Sequence, residues 1–218
     1  MTTDPEIISK TLIADEDTFY LCEVSSSVYV GDSYEDPLQC HHVTFRAENE
    51  ELGVAREIGG ATMYTLQCEA DSENRGVFDI LDEESENLMH IGAAMCYGSG
   101  ACKINDEFMW YDPNFVFVPT VSLVPEFRGF GLGPYLVART LTSAFRLYDA
   151  ALLQAFPINA AEMDKDAIKP AQRKIIKAWK SIGFKKLADD VFIANISAVK
   201  ESPSAAKKRK ALTLRQAS

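Results

Sequence analysis

The sequence predicts an α/β domain with a mixed sheet and helices on both faces. Of its 218 residues, 47% are hydrophobic and 25% are charged, which is typical of a globular protein. The apolar segment 115–124 predicts a strand that is central in the sheet, because both of its faces are hydrophobic. Helix-like and strand-like segments alternate after it, as they do in strand–helix–strand units.

The segments before residue 115 predict strands first and a helix later. Residues 19–30 are rich in β-branched and aromatic side chains, which indicates one or two strands. Residues 56–69 predict another strand, whose glycine pair marks a bulge. Apolar residues recur on one face over residues 79–96, which predicts a helix that Gly98-Ser99-Gly100 ends.

The segments after residue 124 complete the alternation. Helical spacing of apolar residues predicts helices over 134–148 and 171–181. Residues 151–156 predict a short buried strand between them, and residues 184–196 predict one or two final strands.

The length fits one domain with appendages. We expect an acidic lead-in over residues 1–18, a single domain over residues 19–199, and a basic disordered tail over residues 200–218. The run Lys207-Lys-Arg-Lys210 in that tail is either a solvated end or a nucleic-acid or nuclear-import tag.

Charge is distributed unevenly along the chain. Residues 1–90 hold 21 acidic and 4 basic side chains, whereas residues 91–199 hold 10 acidic and 12 basic ones. The acidic half is either a solvated face or a surface for a cationic partner, and it would repel nucleic-acid phosphates. The second half is the better place for an anionic cofactor.

Cysteine content and the absence of targeting patterns predict a cytoplasmic protein. No apolar run approaches the length of a membrane-spanning helix, and no secretion signal begins the sequence. The cysteines are odd in number and widely spaced, which favours free thiols in a reducing compartment. Cys40-His41-His42 resembles half a metal site without a second half, so we expect no metal. The five cysteines are Cys22, Cys40, Cys68, Cys96 and Cys102.

The segment with the clearest chemical signal joins the predicted strand 115–124 to the following helix. Gly129, Gly131 and Gly133 alternate there, and Pro134 suits a first helical position. Bare amides at a helix start form a pocket for phosphate, and an adjacent arginine adds positive charge. The alternative is an ordinary strand–loop–helix turn.

The spacing differs from the dinucleotide-binding and Walker patterns. It resembles motif A of the GCN5-related N-acetyltransferases, Arg/Gln-x-x-Gly-x-Gly/Ala. Members also often show Asn-x-x-Ala-x-x-x-Tyr-x-x-x-Gly-Phe downstream. The resemblance covers residues 115–196. The matching positions are Arg128, Gly131 and Gly133 for motif A, and Gln172, Ile175, Trp179, Gly183 and Phe184 downstream.

The resemblance implies an acyl-CoA N-acyltransferase fold, in which acetyl-CoA lies in a splay between two central parallel strands. Backbone amides of the glycine loop would bind the pyrophosphate, and strand backbone would pair with the pantetheine arm. The implied cofactor-binding residues are Leu123, Val124, Arg128, Gly129, Phe130, Gly131, Leu132, Gly133 and Gln172.

The implied reaction is direct attack of an amine on the thioester in a ternary complex. The sequence departs from the family pattern at the catalytic positions. Trp179 replaces the tyrosine that often protonates the thiolate, and Thr120 and Ser122 stand where a strand carboxylate is frequent. Ser122 and Trp179 are therefore the catalytic candidates. Other possible proton donors are Tyr111, Tyr135 and Tyr148.

The resemblance therefore implies an N-acetyltransferase that uses acetyl-CoA, and the acidic half of the chain suggests a cationic amine acceptor. A catalytically weak or inactive acyl-CoA-binding regulatory module is the alternative, favoured by Trp179 and by the missing carboxylate. The family often forms homodimers, but no residue here specifies an oligomeric state. The acceptor and the acyl-chain preference also stay open.

Overall fold

The computed structural model describes residue 12 and residues 18–27, 38–66, 77–95 and 114–200. Within them the chain forms a seven-stranded mixed sheet with α-helices on both faces, which confirms the predicted fold class. The strands are β1 (Phe19–Ser27), β2 (Leu38–Asn49), β3 (Val54–Leu66), β4 (Phe115–Leu123), β5 (Ala150–Gln154), β6 (Lys185–Ala188) and β7 (Val191–Asn195). The helices are α1 (Val77–Glu84), α2 (Glu86–Met95), α3 (Leu132–Ala144) and α4 (Lys165–Lys180).

The strand order across the sheet is β1-β2-β3-β4-β5-β7-β6. All neighbouring strands in it are antiparallel except β4 and β5, which are parallel. A parallel pair needs a crossover connection, and α3 lies in this one. The predicted central strand, residues 115–124, is therefore confirmed as β4, the fourth strand of seven.

The two faces of the sheet bury separate hydrophobic clusters. Val116 and Val118 of β4 point to a cluster with α3 and Trp179 of α4, which we call the α3 face. Phe115 and Phe117 point the opposite way, to a cluster with α1 and α2, which we call the α1/α2 face. This alternation explains why β4 is apolar throughout its first four residues.

The helical prediction over residues 79–96 is confirmed through Met95, but the segment forms two helices rather than one. The Oγ of Ser85 accepts the backbone N–H of Leu88 at 3.3 Å, which is the bond of an N-cap. Ser85 therefore starts α2 immediately after α1 ends. The predicted break at residues 98–100 lies outside the described residues.

Three other boundaries differ from the prediction. Helix α3 begins at Leu132, so Pro134 is its third residue, and it ends at Ala144. Helix α4 begins at Lys165, six residues earlier than predicted, with Pro170 inside it. A proline in the second turn normally indicates a helix end, which explains the late predicted start.

Strand β2 has no counterpart in the prediction. Its alternate residues Val43, Phe45 and Ala47 are buried, but two histidines before them and polar side chains between them mask the pattern. The β2–β3 register shifts so that Ile58 is unpaired beside Gly59, which confirms the bulge predicted at the glycine pair.

The other predicted strands agree with the structure where it describes them. Strand β1 lies in segment 19–30, β3 spans most of segment 56–69, and β5 ends two residues before the predicted end at 156. Segment 184–196 contains both β6 and β7. Leu12 of the predicted lead-in is fully buried in the core of the α3 face. Lys200, the first residue of the predicted tail, donates its backbone N–H to the carbonyl of Ile182 at 3.1 Å, and the rest of the tail lies outside the described residues.

Candidate active site

The parallel pairing between strands β4 and β5 ends halfway along β4. Their pairing runs from Phe115 and Ala150 to Val118 and Leu153, although β4 continues to Leu123. The register between β3 and β4 shifts at the same level, beside Pro119. A bulge bends its strand and a proline lacks the N–H for a ladder bond, so both features favour separation here. Among the described residues, no strand pairs with β4 on the β5 side beyond Val118, and we call this gap between β4 and β5 the splay.

The backbone at the end of β4 alternates between β3 and the splay. The N–H of Val124 donates to the carbonyl of Ile58 on β3 at 2.8 Å. Because successive residues of a strand point their peptide groups to opposite sides, Leu123 points its own groups into the splay. Its carbonyl accepts the Nε–H of Arg128 at 2.7 Å. Of the two residues predicted to pair with a pantetheine arm, Leu123 is the one directed at the splay.

A short 3-10 turn, Pro125–Phe127, connects β4 to the glycine loop and is anchored from two sides. The side chain of Phe127 is fully buried in the core. Glu126 accepts a hydrogen bond from Arg56 of β3 at 3.2 Å. A bond from its own backbone N–H and the Arg56 guanidinium lower the pKa of Glu126. The carboxylate therefore holds the turn against β3.

The glycine loop contains two residues with a left-handed backbone and leads directly into α3. Gly129 and Gly131 have φ of 84° and 78°, in the region that favours glycine. Gly131 is the N-cap of α3 and supplies no side-chain cap. Among the described residues, no backbone carbonyl outside the helices and strands accepts a bond from the amides of residues 130–133. The amides of a helix start and its dipole suit a phosphate group.

The two predicted catalytic candidates lie on opposite faces of the sheet. Val121 and Leu123 pack on the α3 face, so the alternate residues Thr120 and Ser122 point to the α1/α2 face. Trp179 is buried in the core of the α3 face, 6.0 Å from the ring of Phe184. The structure therefore places Trp179 as a packing residue, away from Ser122.

The remaining predicted side chains lie around the α3 face. Gln172 is half-buried on α4, about two turns before Trp179. The hydroxyl of Tyr135 accepts a hydrogen bond from Arg139 at 3.1 Å, and Tyr148 packs edge-on against Phe145. Tyr111 lies outside the described residues.

The sequence analysis missed a hydrogen-bonded set of three side chains at the end of β5. Asp190, in the turn between β6 and β7, bonds His90 of α2 at 2.7 Å and Gln154 of β5 at 3.0 Å. Burial by itself would raise the pKa of Asp190, but the bonds from Gln154 and His90 outweigh it and lower the pKa. The three residues are far apart in the chain, so no local pattern indicates the set.

The Cys40-His41-His42 cluster is divided by the alternation of β2. His41 is buried between the hydroxyls of Ser26 and Thr65, at 2.8 and 2.9 Å, and burial lowers its pKa. Cys40 and His42 point to the other face. Cys22 and Cys40 are free thiols, and Cys68, Cys96 and Cys102 lie outside the described residues. Over the described ranges, no group of three or more potential ligands could hold a metal ion.

Comparison with known proteins adds little to this geometry. No family model matches the sequence, and no curated protein matches it. A solved structure of a mutant AtaT toxin bound to the C-terminus of the antitoxin AtaR matches with a TM-score of 0.35 and 8% identity. The match covers 81% of this chain and 94% of that chain, but a TM-score this low supports no functional argument. No helix among the described residues is long and apolar enough to cross a bilayer.

Proposed function

We propose that this chain is a member of the GCN5-related N-acetyltransferase family that binds acetyl-CoA at the splay and transfers the acetyl group to an amine. The supporting observation is that a gap between two parallel strands and a glycine loop lie next to each other. The pairing of the parallel strands ends at Val118, and β4 leads through a short turn into a glycine loop at the start of α3, whose N-cap Gly131 supplies no side-chain cap. An elongated thioester with a diphosphate at one end needs both features side by side.

Each part of the site would contact a different part of acetyl-CoA. The amides of residues 130–133 would bind the diphosphate, and the N–H of Leu123 would pair with the pantetheine arm. Arg128 already bonds the Leu123 carbonyl through Nε, which leaves its terminal nitrogens for an anion. The thioester would then lie near Thr120, open to the α1/α2 face.

The acceptor side of this proposal depends on charge. The acidic residues concentrate in residues 1–90, which supply β1–β3, α1 and the first half of α2. These elements border the face from which an acceptor would approach the thioester. A cationic amine such as a polyamine, an aminoglycoside or a lysine-rich protein would be attracted to that surface.

One observation favours a second candidate function, an acyl-CoA-binding module without turnover. Trp179, at the position of the family's frequent tyrosine, is buried in the core and cannot protonate a thiolate. Thr120 and Ser122 of β4 are not bases by themselves. Positioning alone can nevertheless accelerate acyl transfer greatly, so the missing residues do not decide between the two functions.

Two measurements on the same protein test the proposal. Titration calorimetry with CoA should show one site with a micromolar Kd, and CoA release from acetyl-CoA should accelerate with spermidine, kanamycin or polylysine. Binding with no accelerated release for any amine would favour the binding module. Absence of CoA binding would refute both functions.

A further inference from the structure

The hydrogen-bonded set His90–Asp190–Gln154 lies where the splay begins, at the end of β5. Gln154 is the last residue of β5 and follows Leu153, the last residue paired with β4. Leu153 points to the α3 face and Leu152 to the α1/α2 face, so Gln154 points to the α1/α2 face as well. Thr120 and Ser122 of β4 share that face.

The hydrogen bonds of the set fix the orientation of the His90 imidazole. Asp190 accepts from Gln154 through Oδ2 and bonds Nε2 of His90 through Oδ1, so both carboxylate oxygens are used. With Nε2–H as the donor, the neutral imidazole keeps its lone pair on Nδ1. The Asp190 side chain is 15% exposed, whereas that of His90 is 43% exposed. The Asp190 carboxylate is therefore largely shielded from solvent, whereas the His90 imidazole is accessible.

We infer that His90 is the general base of the proposed acetyl transfer, and that Asp190 and Gln154 are its positioning residues. This inference rests on the proposed function. The attacking nitrogen, in its neutral amine form, makes a bond to the thioester carbon, and Nδ1 of His90 takes the proton that this nitrogen then loses. The carbon–sulfur bond breaks, and the thiolate gains a proton from water as His90 returns one. The products are the acetylated amine and free CoA.

Charge supports these assignments. The lowered pKa of Asp190 keeps its carboxylate ionised at neutral pH, so it stabilises the imidazolium that forms when His90 accepts a proton. Gln154 lacks a titratable group and can act only through Asp190, which it holds at 3.0 Å. The set supplies the base that β4 lacks.

Substitution of His90 tests the inference with acetyl-CoA and spermidine as probes. We expect His90→Ala and His90→Gln to reduce kcat about 100-fold or more, with an unchanged Kd for CoA. Added imidazole should restore part of the rate of His90→Ala. Asp190→Asn should lower kcat more than it raises KM. His42→Ala, which removes an exposed histidine of β2, is the matched control and should keep the wild-type rate.

The outcomes separate this inference from the proposed function. If the wild type and both His90 variants release CoA at equal rates, both with and without the amine, the result would overturn the role of His90 without affecting the proposal that the protein binds CoA. A loss of rate that imidazole does not restore in His90→Ala, together with an active His90→Gln, would also overturn it. Failure of the wild type to bind CoA would refute the proposed function itself.

Discussion

Gly131 offers the sharpest test of the glycine loop, because its backbone conformation and its proposed function predict separate effects. Its φ of 78° and ψ of 13° lie in the left-handed region. An alanine there costs about 1–2 kcal/mol of stability. For a domain of this size, that loss lowers Tm by about 2–8 °C. The relaxed loop would also no longer direct its amides together, so Gly131→Ala should weaken CoA binding at least about tenfold, or about 1.4 kcal/mol.

Gly53 provides the matched control for the stability term. It has a φ of 61° in the turn between β2 and β3, and no atom lies within 4 Å of an added Cβ. Gly53→Ala should therefore lower Tm by a similar amount without changing the Kd for CoA. Thermal unfolding and calorimetry on both variants measure the two effects separately.

Gly133 provides a control in which an added methyl group should stabilise the protein without affecting CoA binding. Its φ is outside the left-handed region, and an added Cβ would meet only Leu123 Cδ1 at 3.7 Å, an ordinary contact. Gly133→Ala in the first turn of α3 should gain up to about 1 kcal/mol and retain CoA binding. The reasoning is refuted if Gly53→Ala weakens CoA binding as much as Gly131→Ala does.

Three further predictions concern packing and protonation. Gly59→Ala would place Cβ against the carbonyl oxygen of Ser122, so it should lower the denaturant midpoint far more than Gly53→Ala, and equal midpoints would contradict this. Burial lowers the pKa of His41 in the folded state below about 6.5, its value in the unfolded chain. The folded protein should therefore lose stability as the pH falls from about 6.5 toward the pKa of His41 in the folded state. Urea unfolding at pH 7.5 and 5.5 should show a larger loss for the wild type than for His41→Asn, and equal losses would exclude His41 as the cause. Burial raises the pKa of the Cys22 thiol, so iodoacetamide should label Cys22 slowly at pH 7.5, and peptide mass spectrometry showing fast labelling would oppose the assignment.

The glycine loop and the strand before it could be predicted because their signals are local. A strand apolar on both faces and glycines at alternate positions depend only on neighbouring residues. The structure locates them as β4 and as the start of α3, close to the predicted boundaries. The positions of Thr120 and Ser122 relative to Trp179, in contrast, depend on which face each element packs against.

The His90–Asp190–Gln154 set could not be predicted because it joins three distant elements. Histidine, aspartate and glutamine are ordinary surface residues when considered singly, and their chain separations reach 100 residues. Only the sheet order places the end of β5 beside the turn that contains Asp190. The break between α1 and α2 was missed because the apolar pattern continues through it, whereas the side chain of Ser85 caps a new helix there.

The central claim is that the amides of residues 130–133 bind the diphosphate of CoA. Titration of ¹⁵N-labelled protein with CoA, followed by amide NMR, tests it most directly. We predict that these four amides shift together and saturate with one Kd, whereas the amide of Gly53 stays in place. Saturable CoA binding that leaves all four amides unshifted would contradict the claim.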